Sequence, residues 1–116
     1  MPSLSEKDRA NLGAILDSTN KILNFTKRKK NSSAFYEDEM VYDATLMNFI
    51  VIGEAAAKIS LTIKSKYNEI PWKEIRDFRN VITHDYFGVN AEVTWQIIRR
   101  HLPQLKRDMM KILKRN

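Results

Sequence analysis

The twenty residues from 44 to 63, ATLMNFIVIGEAAAKISLTI, constrain this chain more than any other stretch. Drawn as a helix, the segment is apolar on nearly all sides, so it belongs at the centre of whatever fold surrounds it. Asn48, Gly53, Glu54, Lys58 and Ser60 interrupt it, so it reads as a buried core helix and not a membrane span. The chain has only three Gly and three Pro in 116 residues, too few to punctuate an all-β protein. That length predicts one domain, residues 1–116, and 43% apolar with 29% charged residues is a globular composition.

The rest of the chain supplies partners for that helix. Leu12, Ile15, Leu16, Thr19, Ile22, Leu23 and Thr26 form one amphipathic stripe. Ser3 or Ser5 is placed to cap this first helix, and it should fade in KRKKNSS. The second, central helix is expected to start near Phe35 or Tyr36 and to run unbroken to Tyr67, bending at Gly53. A short third helix starts at Pro71 and ends near Thr83, with Trp72, Ile75, Phe78 and Ile82 as its stripe. Asn90 should cap the fourth, whose seam is Trp95, Ile98, Leu102, Leu105, Met109 and Ile112. Pro103 predicts a kink or break there. The expected fold is all-α, an up-and-down bundle of three long helices plus a short one.

Several function classes lack support. There is no cysteine, which removes disulfide scaffolds and thiolate metal sites and favours a reducing cytoplasm. Two histidines offer no metal-ligand spacing, and no glycine-rich phosphate loop or nucleophile elbow is present, so no cofactor is implied. The net charge of +6 is concentrated in KRKK at 27–30 and in residues 99–115, which hold seven basic residues against one acid. Such clusters suit a polyanion such as RNA, and equally suit the C-terminal ends of helices.

The chemistry gathers in RNVITHDYFGVN, residues 79–90. Histidine moves protons near neutral pH, and arginine binds phosphate and stabilises an anionic transition state. Together Arg79 and His84 are sufficient for metal-independent RNA cleavage, in which a 2′-hydroxyl attacks the adjacent phosphate. Asn80 and His84 share a helical face, but Arg79 and His84 are about 140° apart around one axis. They converge if the helix ends at Ile82–Thr83, or they meet counterparts across a two-fold axis. The competing reading is a capped helix end, with His84 bonded to a backbone carbonyl and Arg79 paired with Asp77 or Asp85. Glu54, in an apolar setting, needs either a basic partner from residues 76–84 or solvent beside Lys58. His101 reads as structural or exposed.

RNVITHDY fits the R-x4-H-x-Y signature of HepT-like toxins in the HEPN superfamily. FIVIGEAAAKIS, IPWKEIRDFRN and WQIIRRHLPQLKRDM resemble, in order, the family's central helix, its lead-in to the motif and its closing helix. The resemblance covers roughly residues 35–113. It implies the HEPN helical bundle and a homodimer with a composite cleft. It also implies a metal-independent endoribonuclease, the toxin of a prokaryotic type VII HEPN/MNT toxin–antitoxin pair. The expected partners are an RNA substrate and a minimal nucleotidyltransferase antitoxin that transfers AMP from ATP to the motif tyrosine. Carried onto this chain, Arg79 stabilises the phosphate, His84 is general acid or base, Asn80 orients them and Tyr86 is modified. Val81 and Ile82 would anchor the segment, and Phe87 with Gly88 would turn Tyr86 back towards it. Two other readings stay open: a non-catalytic nucleotide- or partner-binding subunit, and a structural dimerisation bundle.

Overall fold

The computed structural model describes residues 4–115. These form seven α-helices: α1 (Glu6–Thr26), α2 (Ser32–Glu37), α3 (Glu39–Ala57), α4 (Leu61–Lys66), α5 (Trp72–His84), α6 (Ala91–Arg100) and α7 (Leu102–Arg115). A 3-10 turn, Tyr86–Gly88, joins α5 to α6, and there is no strand among the described residues. The all-α expectation holds, with more and shorter helices than the periodicity predicts.

The long second helix is three. Its first interruption is Asp38, whose backbone is extended and whose side chain accepts from the Val41 N–H, capping α3. Lys29, in the basic cluster after α1, donates to the same carboxylate at 2.7 Å. The second interruption is at Lys58–Ser60, not at Gly53, through which α3 runs unbroken. Ser60 is extended and caps α4 through Ile63. The buried Asp8 of α1 accepts from the Ser60 N–H at 2.9 Å and from its hydroxyl at 2.6 Å. A carboxylate 52 positions away thus stops a helix that local pattern would continue.

The other ends follow local chemistry. Ser5 caps α1 by accepting from the Asp8 N–H, while Ser3 lies outside the described residues. Pro71 sits one position before α5, and the Trp72 indole N–H donates to the Tyr67 carbonyl at 3.1 Å. Asn90 caps α6 through Val93. The break near Pro103 falls at His101, which puts the proline in the first turn of α7, where its missing N–H costs nothing.

α3 is the hub, packed on one side by α1 and on another by α5; α7 packs on α1 and α6. Leu12, Ile15, Ile22, Leu46, Ile52, Ile82, Ile98, Met109 and Ile112 are wholly or almost wholly buried. Each such side chain contributes about 1.5–3 kcal/mol by leaving water. α3 is long and apolar enough to cross a membrane by length and composition, but it serves as this core element. One stripe of it does not reach the core: Met40, Met47 and Val51 are exposed.

Candidate active site at the α3–α5 junction

Arg79 is held in three ways. Gly53 of α3 lies directly beneath it: a Cβ at that position would sit 2.2 Å from the Arg79 Cβ and 2.5 Å from its Cγ. Only glycine lets the two helices approach this closely. The guanidinium Nη1 then donates to Glu54 Oε1 at 2.6 Å, and Nε donates to Asn80 Oδ1 at 2.8 Å. The arginine side chain is 17% exposed and its glutamate partner 54% exposed, so the pair sits at a surface with its cationic half tucked in. Such a pair adds little stability, about 1 kcal/mol or less, and its main effect is to fix where the guanidinium stands. Nη2 has no partner among the described residues.

Tyr86 is fastened to the same helix. Its hydroxyl donates to Asp43 Oδ1 at 2.5 Å. Burial, then this hydrogen bond and the Asp43 charge, push the phenol up to about 12 from its ordinary 10.0, so it is protonated at neutral pH. The 3-10 turn that carries it is closed by Asp85, whose side chain accepts from the Gly88 N–H at 3.1 Å. A Cβ at Gly88 would meet that carboxylate at 2.0 Å, so a larger residue would turn the Asp85 side chain away from the Gly88 N–H; no glycine here has positive φ. Beneath the turn, the buried Tyr42 hydroxyl reaches the Val89 carbonyl at 3.5 Å, and burial raises that phenol's pKa too.

Asp43 and Glu54 are eleven residues apart, three turns of α3, and so share a face. They clamp the antiparallel segment at two points, Tyr86 and Arg79. Met47 and Val51 lie between them on the same stripe, 58% and 37% exposed. Val81 and Phe87, from the opposing segment, are 51% and 98% exposed. Ile82 alone anchors the motif, because Val81 faces solvent; the expectation that both do so is corrected here.

α5 runs through His84, so the helix does not end early enough to swing His84 towards Arg79. The two stay about 140° apart on one unbroken helix. The His84 imidazole is exposed and makes no hydrogen bond or ion pair with the described residues. The capped-end alternative is not what the chain adopts either. Asp77 is taken by Lys73 at 2.6 Å and Arg76 at 3.6 Å, and Asp85 by its own turn. Of the two solutions for Glu54, the basic partner from residues 76–84 is the one found. His101 is exposed at the α6–α7 break.

Asp43 is the site residue that motif reading missed. Its only signal was the eleven-residue interval to Glu54, which places two acids on one face of an otherwise apolar helix. The basic clusters are partly spoken for, Lys29 by Asp38 and Arg99 by the Trp95 ring at 5.0 Å. No three His, Asp or Glu side chains among the described residues are grouped as a metal site needs.

A family model described as "Ribonuclease HepT-like" matches residues 15–112. A "Gamma-glutamylcyclotransferase and putative RNase" of Methanocaldococcus jannaschii is 34% identical over 102 residues, 88% of this chain. The chain spans less than half of that relative's length, 46%. A "Putative RNase" of the same organism is 32% identical over 107 residues, 91% of this chain and 97% of its own. A "Probable ribonuclease HepT" of Thermococcus cleftensis is 34% identical over 80 residues, 69% of this chain and 73% of its own. No solved structure matches the chain.

Proposed function

Because the chain belongs to the HepT-like ribonuclease family, we propose that it is a metal-independent endoribonuclease in which Arg79 and His84 carry the chemistry. The observation that carries this is the contrast between them. Arg79 is locked against Gly53, Glu54 and Asn80 with Nη2 uncommitted, while the His84 imidazole stands exposed and unbonded. The first is a preset cation for a phosphate oxygen; the second is a free proton carrier. Cleavage needs a base for the 2′-hydroxyl proton and an acid for the departing 5′-oxygen. One chain offers a single motif histidine, on the far side of the helix from Arg79. Two chains related by a two-fold axis bring two histidines and two arginines to one cleft. The exposed apolar strip of Met40, Met47 and Val51 beside the motif suits that homodimer.

In this reading the protein is the toxin of a toxin–antitoxin pair, restrained by a nucleotidyltransferase that transfers AMP from ATP to the Tyr86 oxygen as pyrophosphate leaves. Asp43, bonded to that hydroxyl, orients it and stands where its proton would go. An AMP group there adds bulk and negative charge to the face of α3 that also holds Arg79 through Glu54, and repels RNA phosphate. The second reading, a non-catalytic partner-binding subunit, draws on Glu54 occupying part of the guanidinium.

Cleavage of an RNA pool by purified protein, in the presence of chelator, separates the two. Arg79→Ala and His84→Ala should each lower cleavage by about 100-fold or more, with helical content unchanged. Full cleavage by His84→Ala would sink the catalytic reading. No cleavage by the wild-type protein, with a stable nucleotidyltransferase complex, would favour the second.

A further inference from the structure

A groove runs along the side of α5 away from Glu54. It is a cavity of about 480 Å³ floored by Phe49 and Ile52 of α3 and walled by Ile75 and Phe78 of α5 and by Leu102 and Leu105 of α7. It exists because α5 packs on α3 while α7 packs on α1 and α6, with no extensive contact between α5 and α7. Protein interiors are close-packed, so apolar walls left apart by this much are a surface awaiting an occupant.

The rim says what kind. The chain carries a net charge of +6, yet the residues lining this groove include Glu69, Glu74 and Asp108 and no Lys or Arg. None of the three carboxylates is ion-paired among the described residues; Asp108 only accepts from Gln104 at 3.0 Å. An acidic rim repels RNA and attracts cations, so this is not a track for a polyanion.

The shape narrows the choice further. From Pro71, just before α5, through positions 74, 75 and 78 the wall extends ~10 Å, and the α7 positions 102, 105 and 108 extend ~9 Å, at 1.5 Å per residue, so each side is close to two turns long. That length accepts two turns of helix presenting apolar anchors at i, i+3 or i+4, and i+7. A second copy of this chain has no such helix to offer. Its strongly basic helix α7 turns Leu105, Met109 and Ile112 inward and keeps Met110 as its exposed large apolar side chain, too little for a row of anchors, and its exposed apolar stripe on α3 carries Asp43 and Glu54, like-charged with the rim.

We propose that the α5–α7 groove is a docking site for a basic amphipathic helix of a different protein. Its apolar side chains fill the space between Phe78 and Leu105, and its Lys or Arg residues meet Glu69, Glu74 and Asp108. Because Phe78 and Arg79 are consecutive on α5, an occupant presses on the helix that carries the arginine from the flank opposite Glu54. The docking site stands whether or not the chain cuts RNA.

The test uses the full chain and a labelled, stapled amphipathic helix of fourteen residues with Leu anchors flanked by Lys, read by fluorescence anisotropy. Saturable binding is expected, weakened about tenfold or more in a Glu74→Lys/Asp108→Lys variant and unchanged in a Asp17→Lys/Glu37→Lys control of equal net charge. The same helix with Glu for Lys, or with Ser for Leu, should not bind. Equal binding to both variants, binding of the Ser-substituted helix, or no binding at all would each overturn the proposal. So would saturable binding of n-octylamine at the groove without binding of the helix, which would make it a small-molecule site.

Discussion

The guanidinium of Arg79 and the carboxylate of Glu54 meet at 2.6 Å directly above Gly53, so two consecutive residues of α3 govern one side chain of α5. The glycine sets how close the helices come, and the glutamate sets which way the arginine points. Glu54→Gln should therefore leave stability within about 1 kcal/mol and still lower RNA cleavage, because the loss is one of positioning. A denaturant midpoint that falls together with activity would instead assign Glu54 a structural role.

Gly53→Ala acts through distance. The new methyl would overlap the Arg79 side chain at 2.2 Å, at its rigid root and not at its flexible tip. α5 has to move outward, with an expected loss of about 1–3 kcal/mol and of most cleavage. Alanine is the better helix former, so a stabilised Gly53→Ala variant would show that α5 does not lie where it is described.

Tyr86 gives a pH signature. Its folded-state pKa of about 12 lies above the ordinary value of 10.0. The stability this contributes is fully present below pH 10 and is lost as pH rises through about 12. Tyrosinate absorbance should show two late-titrating phenols, Tyr42 and Tyr86, and one of them should disappear in Tyr86→Phe. In Asp43→Asn the Tyr86 phenol should titrate earlier, but only part of the way back, since burial is the larger cause. Were Tyr86 to ionise at the ordinary value of 10.0, the Asp43 bond would have no standing in solution.

Neighbouring apolar residues of the motif should behave differently. Ile82 is fully buried and Val81 is 51% exposed. Thermal or denaturant unfolding should show Ile82→Ala costing about 2–5 kcal/mol, against about 0.5 kcal/mol or less for Val81→Ala. Comparable losses would mean that Val81 packs against something, a second copy being the first candidate.

The exposed stripe of α3 makes the assembly testable. Met47→Asp/Val51→Asp adds charge to a surface that is already solvated in the single chain, so the fold should survive. Light scattering should show a dimer become a monomer, with cleavage lost in parallel. An unchanged mass with full cleavage would remove the composite cleft.

Much of this was written locally. The periodicity of α1, the capping by Asn90, the helix start beside Pro71 and the break before Pro103 depend on residues within a few positions of one another. So did the motif itself: the order of Arg79, Asn80, His84 and Tyr86 was legible without coordinates. The uninterrupted helix from residue 35 to 67 was misread because its second stop is not local. Ser60 is extended largely because Asp8, on another helix, takes its N–H and hydroxyl. Asp43 was missed for the same reason, since its one signal within α3, the eleven-residue interval to Glu54, acquires meaning only when Tyr86 arrives.

The sequence by itself determined the all-α class, the central place of α3 and the order of the motif residues Arg79, Asn80, His84 and Tyr86, because helical period and side-chain type are properties of the chain alone. Only the tertiary structure decided which side chain meets which. It set Arg79 on Gly53 and Glu54, Tyr86 on Asp43, and left His84 free on the far side of an unbroken helix. Those pairings arise between α3 and α5, whose approach distance and antiparallel register no single helix encodes.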